Sequence, residues 1–353
     1  MIKHSIVALT LLIATAARAD IEGTWTAHAG ATKLQLRLTT DGRWNSSFPI
    51  ALTSLTGLAA EALGAATRTA VEFALQRDAG TFSFTGHFKE TGGAGFFRFT
   101  GNSAFEQRLR DAGVKVERKK SRELGDEDLL SLALFDVSTA FVSELHAVGL
   151  TDLSLDDLSS MRIHGATSEF VRQMQSLGYR GEVDDYVTFR IHGVTSEFIR
   201  EMNALGYQLS ADDAVAMRIH GVTPEFIREM SSLGFRLSSD DVVAMRIHGV
   251  TSEMVTELKA LGYQNVTGDD LVSMRIHGAT TKFIRELREL GYSNIAIDQL
   301  VAMRIHGVTP AFIRDLRESG FKNVPIDKLI EMRVHGIDAD FVNALRGAAK
   351  KHE

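Results

Sequence analysis

The chain is 353 residues long, which allows two domains or one long array of repeats. Its formal net charge is −6, and this argues against nucleic-acid binding, because that role calls for a basic surface. The sequence contains no cysteine, which excludes disulfides, thiolate metal ligands and a cysteine nucleophile. From the negative net charge we expect no nucleic-acid partner.

The first 19 residues have the pattern of an export signal. Lys3 precedes an apolar stretch over residues 6–14, and Ala17-Arg18-Ala19 matches a small-x-small cleavage site. We predict cleavage after Ala19 and a periplasmic or secreted location in a bacterium. An uncleaved N-terminal anchor is the alternative. No later stretch approaches the roughly 20 apolar residues that span a bilayer, so we expect no stable membrane span after signal removal.

Residues 20–102 have the composition of a small β-rich module. Apolar and polar residues alternate in several short segments, which predicts five or six antiparallel strands and an irregular or helical excursion over residues 52–66. Turn residues are expected to separate the strands at the following positions: 41–42, 78–80 and 92–93.

Residues 103–122 form a junction between this module and the rest of the chain. The segment 103–113 resembles a short helix with a glycine stop, and residues 115–122 are a basic linker. The linker is either a solvated connector or a contact for anionic lipid headgroups or envelope polymers.

Residues 123–353 are an internal repeat. The dipeptide His-Gly recurs at intervals of 28, 28, 28, 29, 29 and 29 residues. A degenerate copy at Phe135-Asp136 lies 29 residues before His164-Gly165, which makes eight repeats.

Each repeat has the start and stop signals of two short helices. In one copy, Ser210 and Asp213 form a capping box for the first helix, and Gly221 follows it as a left-handed stop. Thr223 caps the second helix, and Gly234 ends it. The sequence thus predicts a first helix, here the A helix, and a second, the B helix.

One such repeat buries too little apolar surface to offset the entropy of ordering its own backbone. Neighbouring repeats must therefore stack. The predicted fold class is α+β, mainly α: a small antiparallel β module followed by an α-solenoid of about eight 28–29-residue two-helix repeats.

Seven histidines share one register in the repeats. One histidine per layer, about 10 Å from the next, does not bring three ligands to one ion, so a structural row is expected and a metal-binding or pH-sensing role is the alternative. No cofactor is expected. The residues are His164, His192, His220, His248, His277, His306 and His335.

An arginine precedes each of these histidines by two positions. A row of stacked arginines repels itself unless it is paired, so we expect ion pairs with Asp213-type and Glu225-type carboxylates. The alternative is a basic stripe that binds an anionic ligand. The residues are Arg162, Arg190, Arg218, Arg246, Arg275, Arg304 and Arg333.

The sequence lacks the motifs of the common catalytic sites, including His-Glu-x-x-His, Gly-x-Ser-x-Gly and the P-loop. We therefore expect no enzyme activity. Ser319 and Lys322 match Ser-x-x-Lys, but neither companion motif of that family is present, so the match is a coincidence.

The repeated phrase Met-Arg-Ile-His-Gly-Val-Thr-Pro-Glu-Phe-Ile-Arg-Glu-Met resembles helical repeats of bacterial exported proteins. Together with Asp78-Ala-Gly-Thr-Phe-Ser-Phe-Thr-Gly in the β module, it is similar to extracytoplasmic regions attached to some BlaR-type antirepressor metallopeptidases. The chain lacks that family's zinc motif, so the resemblance implies a sensing or partner-binding part without protease activity.

Two functions are consistent with these features. The first is a non-catalytic exported scaffold or sensor module that binds a protein partner in the cell envelope. The second is a binder of a small anionic ligand or envelope polymer, through the β module or the arginine row. The sequence leaves the oligomeric state open.

Overall fold

The computed structural model describes residues 20–40, 44–116, 124–338, 340–341 and 344. The predicted signal peptide (1–19), the predicted turn at 41–42 and most of the basic linker (117–122) lie outside the described residues. Within the described part, the predicted fold class is confirmed: an antiparallel β module precedes a series of short helices.

The β module is one antiparallel sheet of seven strands in the order β3-β2-β1-β7-β6-β5-β4. The prediction of five or six strands was too low, because β3 contains a polar run and a proline and β4 has only two residues. Apart from β4, residues 52–66 are irregular, as expected, with two short 3-10 turns. The strands are β1 Ile21–Ala29, β2 Lys33–Thr40, β3 Trp44–Ala51, β4 Leu55–Thr56, β5 Thr69–Arg77, β6 Gly80–Lys89 and β7 Gly92–Gly101.

The predicted turn at Gly92-Gly93 is wrong by two residues. The turn lies at Glu90-Thr91, where Glu90 adopts φ 52°, and Gly93 is already paired with Phe88 in the sheet. A β-carbon at Gly93 would lie 2.6 Å from Cε1 of Phe88. This glycine therefore makes room for an aromatic ring rather than for a turn.

Trp25 organises the inner face of the sheet. Its ring lies 5.4 Å from that of Phe73 in an edge-to-face contact, and its Nε1 donates a hydrogen bond to the carbonyl of Thr85 at 3.1 Å. A β-carbon at Gly86 or Gly95 would approach the indole to 2.7 or 2.8 Å. Because β7 and β6 separate β1 from β5 in the sheet order, the Trp25–Phe73 contact requires the sheet to curl.

The helices follow in a regular alternation, and the chain divides into two compact units at Val187/Thr188, inside α6. From α2 onward, even-numbered helices are A helices and odd-numbered helices are B helices. The helices of the first unit are α1 Phe105–Asp111, α2 Asp126–Leu134, α3 Thr139–His146, α4 Leu155–His164 and α5 Ser168–Ser176. The next, α6 Val183–Ile191, contains the division.

The second unit contains the remaining helices. Each A helix in it packs on the next A helix from α8 to α16, and each B helix packs on the next B helix from α7 to α15. They are α7 Ser196–Ala204, α8 Ala211–Ile219, α9 Pro224–Ser232, α10 Ser239–Ile247, α11 Ser252–Ala260, α12 Gly268–His277, α13 Thr281–Glu289, α14 Ile297–Ile305, α15 Pro310–Glu318 and α16 Ile326–Val334.

The predicted helix caps are confirmed. The Ser210 hydroxyl accepts from the backbone N–H of Asp213 at 3.1 Å, and the Asp213 carboxylate accepts from the backbone N–H of Ser210 at 3.3 Å. Gly221 has φ 68° after the A helix, and the N–H of Val222 donates to the carbonyl of Met217 at 2.8 Å. These are the bonds of a Schellman stop.

The core of each layer comes from both helices. Met217 of the A helix and Phe226, Ile227 and Met230 of the B helix are buried. Leu233, the next apolar residue on that face of the B helix, is only half-buried. Among the described residues, no single helix is long and apolar enough to cross a membrane, although α2 and α3, with a 61° bend between them, reach that length and composition together.

Asp78 joins the β module to the first repeat within the first unit. From the turn between β5 and β6, its carboxylate accepts hydrogen bonds from the backbone N–H and the hydroxyl of Thr139, both at 2.9 Å, at the start of α3. The adjacent Arg77 forms an ion pair with Asp136 at 3.1 Å. The sheet thereby supplies a helix cap to the repeats.

Replacing Asp78 with alanine should lower the free energy of unfolding by about 1–2 kcal/mol, because α3 loses an N-terminal acceptor. Urea titration followed by circular dichroism measures this change. Glu61→Ala, at an exposed position in the same module, is the control and should leave the midpoint unchanged. Equal midpoints for the two variants would contradict the proposed link.

Candidate functional site

Arginines of the row contact the preceding repeat. The Nε of Arg246 donates to the carbonyl of Gly221 at 3.0 Å, and its guanidinium lies 5.1 Å from the ring centroid of Phe226. The Nε of Arg275 donates to the carbonyl of His248, also at 3.0 Å. Each of these arginines thus covers the C-terminal end of the A helix before it.

The stacking on phenylalanine recurs along the array. A cation above an aromatic face contributes about 0.5–2 kcal/mol, depending on how far it is desolvated. The further pairs, with their guanidinium-to-centroid distances, are Arg162–Phe141 at 4.2 Å, Arg218–Phe198 at 5.2 Å, Arg304–Phe283 at 5.2 Å and Arg333–Phe312 at 5.1 Å.

Arg162, the first member of the row, forms an ion pair with Asp136 at 3.4 Å, but Asp136 stands where the other repeats have their stop glycine and is neither of the two expected carboxylate types. Burial lowers the pKa of Arg162, and Asp136 opposes that shift. In the second unit the expectation is wrong for the arginines whose contacts are described, because the carboxylates have other partners. Asp213 caps its own helix, and Glu225 pairs with Arg228 at 3.0 Å. A hydrogen bond from its own backbone, and next to it the bond from Arg228, lowers the pKa of Glu225. In this row, the following arginines have no carboxylate partner among the described residues: Arg218, Arg246, Arg275, Arg304 and Arg333.

The B layer has a matching set of contacts. Lys259 donates to the carbonyl of Leu233 at 2.7 Å, at the end of the preceding B helix. Arg288 donates to the carbonyl of Leu261 in the same way, and Arg317 to that of Leu290. Cations therefore cover helix C-termini in both layers, where free carbonyls and the helix dipole favour positive charge.

The stop glycines leave room for the arginines. Gly249 has φ 67°, and a β-carbon there would lie 2.9 Å from Nη2 of Arg275. The corresponding distance from Gly278 to Arg304 is 3.2 Å. Gly262, which ends a B helix at φ 94°, has no neighbour within 4 Å of the same point.

The histidines lie at the C-terminal edge of the A helices. Most are exposed and His248 is half-buried, while the backbone carbonyl of His248 accepts from the next arginine. Within the ranges that the structure describes, no group of three or more histidine, aspartate or glutamate side chains could hold a metal ion. The structure brings the histidines into register but not to a common point.

Sequence reasoning missed the apolar residue between each arginine and histidine. From α8 to α16 it forms a row, here called the isoleucine stripe, on the solvent side of the A helices. Each member is more than half exposed. By contrast, Met217, which lies two positions before Ile219 in α8, is fully buried. The stripe consists of Ile219 (54%), Ile247 (52%), Ile276 (53%), Ile305 (54%) and Val334 (58%).

The stripe continues into a wider apolar face. Asp212, Val215, Ala216 and Ile219 are spaced i, i+3, i+4 and i+7, so they share one side of α8. Asp212 is exposed, and Val215 and Ala216 are half-buried. The outer face of α8 therefore has an acid at its N-terminal end, small apolar side chains in the middle, and isoleucine and histidine at its C-terminal end, whereas the middle of this face in α16 includes the exposed Glu331.

The exposed side of the B helices is charged, and its charges pair with one another. Arg228 of α9 lies 2.9 Å from Glu201 of α7, and Arg285 of α13 lies 2.9 Å from Glu257 of α11. The two layers of the second unit thus present different surfaces: one carries the isoleucine stripe, and the other is charged, with ion pairs between some neighbouring helices.

The β module has a separate shallow cleft of about 620 Å³ on the outer face of its sheet. Phe96 at its edge is 69% exposed, and Arg98 lies 2.7 Å from Glu22. Because this arginine is already paired, the cleft offers an aromatic ring and hydroxyl groups rather than a free cation.

No model of a protein family matches the sequence, and a search of curated proteins found no match. The class of protein therefore follows from the fold and the surface contacts described above, without support from a related protein. It is a helical-repeat protein with an N-terminal β module, in which the repeated arginines hold neighbouring layers together.

Gly249→Ala should destabilise the protein more than Gly262→Ala. Both substitutions force a β-carbon into a left-handed conformation, at a cost of about 1–2 kcal/mol. Only the first also displaces Arg275 and removes its hydrogen bond, which adds about 1 kcal/mol. Thermal and urea unfolding of the two variants compares them directly. An equal loss in both would show that the arginine contributes nothing at this point.

Arg246→Lys should lower the free energy of unfolding by about 1–2 kcal/mol although the charge is kept, because lysine lacks the planar guanidinium that stacks on Phe226 and bonds Gly221. Arg236→Lys, at an exposed loop position, is the matched control and should have no effect. If both lysine variants unfold like the parent protein, the row acts through charge alone.

Proposed function

We propose that this chain is a non-catalytic exported scaffold that binds a protein partner in the cell envelope through the isoleucine stripe. The supporting observation is the recurrence of a more than half-exposed apolar residue at one register in five successive A helices. Isolated exposed apolar residues are common, but a contiguous apolar row rimmed by polar groups is typical of protein interfaces.

The energy of such a contact favours an extended partner surface. Covering the exposed half of one isoleucine contributes about 1 kcal/mol, whereas association costs at least about 4 kcal/mol of lost freedom. One or two repeats are therefore too few for a stable complex. Contact along several adjacent A helices is needed, and the stacking of α8 to α16 supplies it.

The arginine row gives less support to the alternative of an anionic ligand. The guanidinium groups of Arg246 and Arg275 are occupied by the aromatic rings or carbonyl oxygens of the preceding repeat. An envelope polymer at the β-module cleft remains the second candidate, since exposed Phe96 stands beside the hydroxyls of Thr24 and Thr85.

Site-specific photo-crosslinking in the intact envelope tests the proposal. Benzoylphenylalanine at Ile219, Ile247 or Ile276 should give one discrete adduct of constant mass. The matched control positions are Ala204, Ser232 and Ala260, the exposed last residues of α7, α9 and α11, and they should not give that adduct. The same adduct from both sets, or none from the stripe, would overturn the assignment of this face.

A further inference from the structure

We infer that the partner of the isoleucine stripe is a second copy of this chain, docked face to face so that its A helices run antiparallel to those of the first copy. This inference rests on the function proposed above and specifies the occupant of that same surface. It is carried by the distribution of charge along each A helix and by the area of the face.

The face is self-complementary in one orientation only. Each A helix from α8 to α12 presents an exposed aspartate at its N-terminal edge and a histidine at its C-terminal edge, as Asp212 and His220 do in α8. In an antiparallel pair, each aspartate lies opposite a histidine of the other copy. In a parallel pair, aspartates face aspartates and repel one another.

The helix dipoles favour the same arrangement. An A helix carries partial positive charge at its N-terminus and partial negative charge at its C-terminus. Antiparallel helices place opposite ends together, whereas parallel helices place like ends together. A two-fold axis along the direction of stacking produces this pairing and keeps every repeat opposite its own counterpart, as an isologous interface requires.

The area of the face is sufficient for a dimer. The A helices α8 to α16 have nine or ten residues each, so each is about 13 Å long, and neighbours pack about 9 Å apart. Five such helices cover about 600 Å² per copy, and thus about 1,200 Å² in a pair, which is the lower limit for specific protein interfaces.

The charged side of the B helices offers no comparable contact. Two of its arginines already have carboxylate partners on the preceding B helix, in the pairs Arg228–Glu201 and Arg285–Glu257. A second copy at that side would have to desolvate or break these pairs, which costs free energy without the burial of apolar surface. Self-association is therefore assigned to the A layer.

Sedimentation equilibrium of the purified protein tests the inference. The parent protein should be a dimer at micromolar concentration, and the triple variant Ile219→Asp, Ile247→Asp, Ile276→Asp should dissociate at least about 100-fold more readily. The control variant Ala204→Asp, Ser232→Asp, Ala260→Asp adds the same charge to the B layer and should remain dimeric. Circular dichroism verifies that both variants are folded.

A charge exchange tests the orientation. Asp212→Lys with Asp269→Lys should weaken the dimer, and so should His220→Asp with His277→Asp. The combination of all four substitutions should restore it, because lysine then faces aspartate across an antiparallel pair. In a parallel pair the substituted N-terminal edges do not face the substituted C-terminal edges, so the combination would not restore association. Failure of the combination to restore association would overturn the antiparallel arrangement.

The outcomes separate this inference from the proposed function. A parent protein that stays monomeric up to about 100 µM overturns the second copy as occupant. In that case an adduct of the stripe with a different protein would still support the proposed function. A dimer that is unaffected by the isoleucine substitutions overturns the inference, and absence of any stripe-specific adduct overturns the proposed function itself.

Discussion

One interaction recurs between neighbouring repeats of the second unit: a cation of one repeat donates a hydrogen bond to a C-terminal carbonyl of a helix in the repeat before it. Arg246 does this in the A layer, and Lys259 does it in the B layer. Helices of about nine residues are too short to be stable alone in water, and each leaves up to four carbonyls without a partner. The same contact that satisfies these carbonyls joins neighbouring layers, so helix formation and stacking are stabilised together.

Local signals explain why much of the fold could be predicted. The capping box at Ser210, the left-handed Gly221 and the threonine caps act within four residues, so spacing alone reveals them. The partner of the arginine row could not be found in this way, because Phe226 and Gly221 lie 20 and 25 residues before Arg246. A count of carboxylates suggested ion pairs, yet Asp213 was already committed to its own cap.

The isoleucine stripe was missed for a different reason. A helix of nine residues with apolar side chains on two sides does not show by periodicity which side is inside. Met217 and Ile219 are both apolar, but the first is buried under the B layer and the second faces solvent. Strand β4 was missed because its two residues are too few to show an alternating pattern. Burial, which only the folded chain defines, separates a surface residue from a core residue here.

The stop glycines of the A helices show that the contacts between these layers have a direction. Gly249, Gly278 and Gly307 each have an arginine of the following repeat within about 3 Å of the position a β-carbon would take. The end of each of these A helices is therefore completed by the next repeat in the sequence and not by the previous one. A truncation between two of these repeats would leave the last remaining A helix without the arginine at its stop glycine.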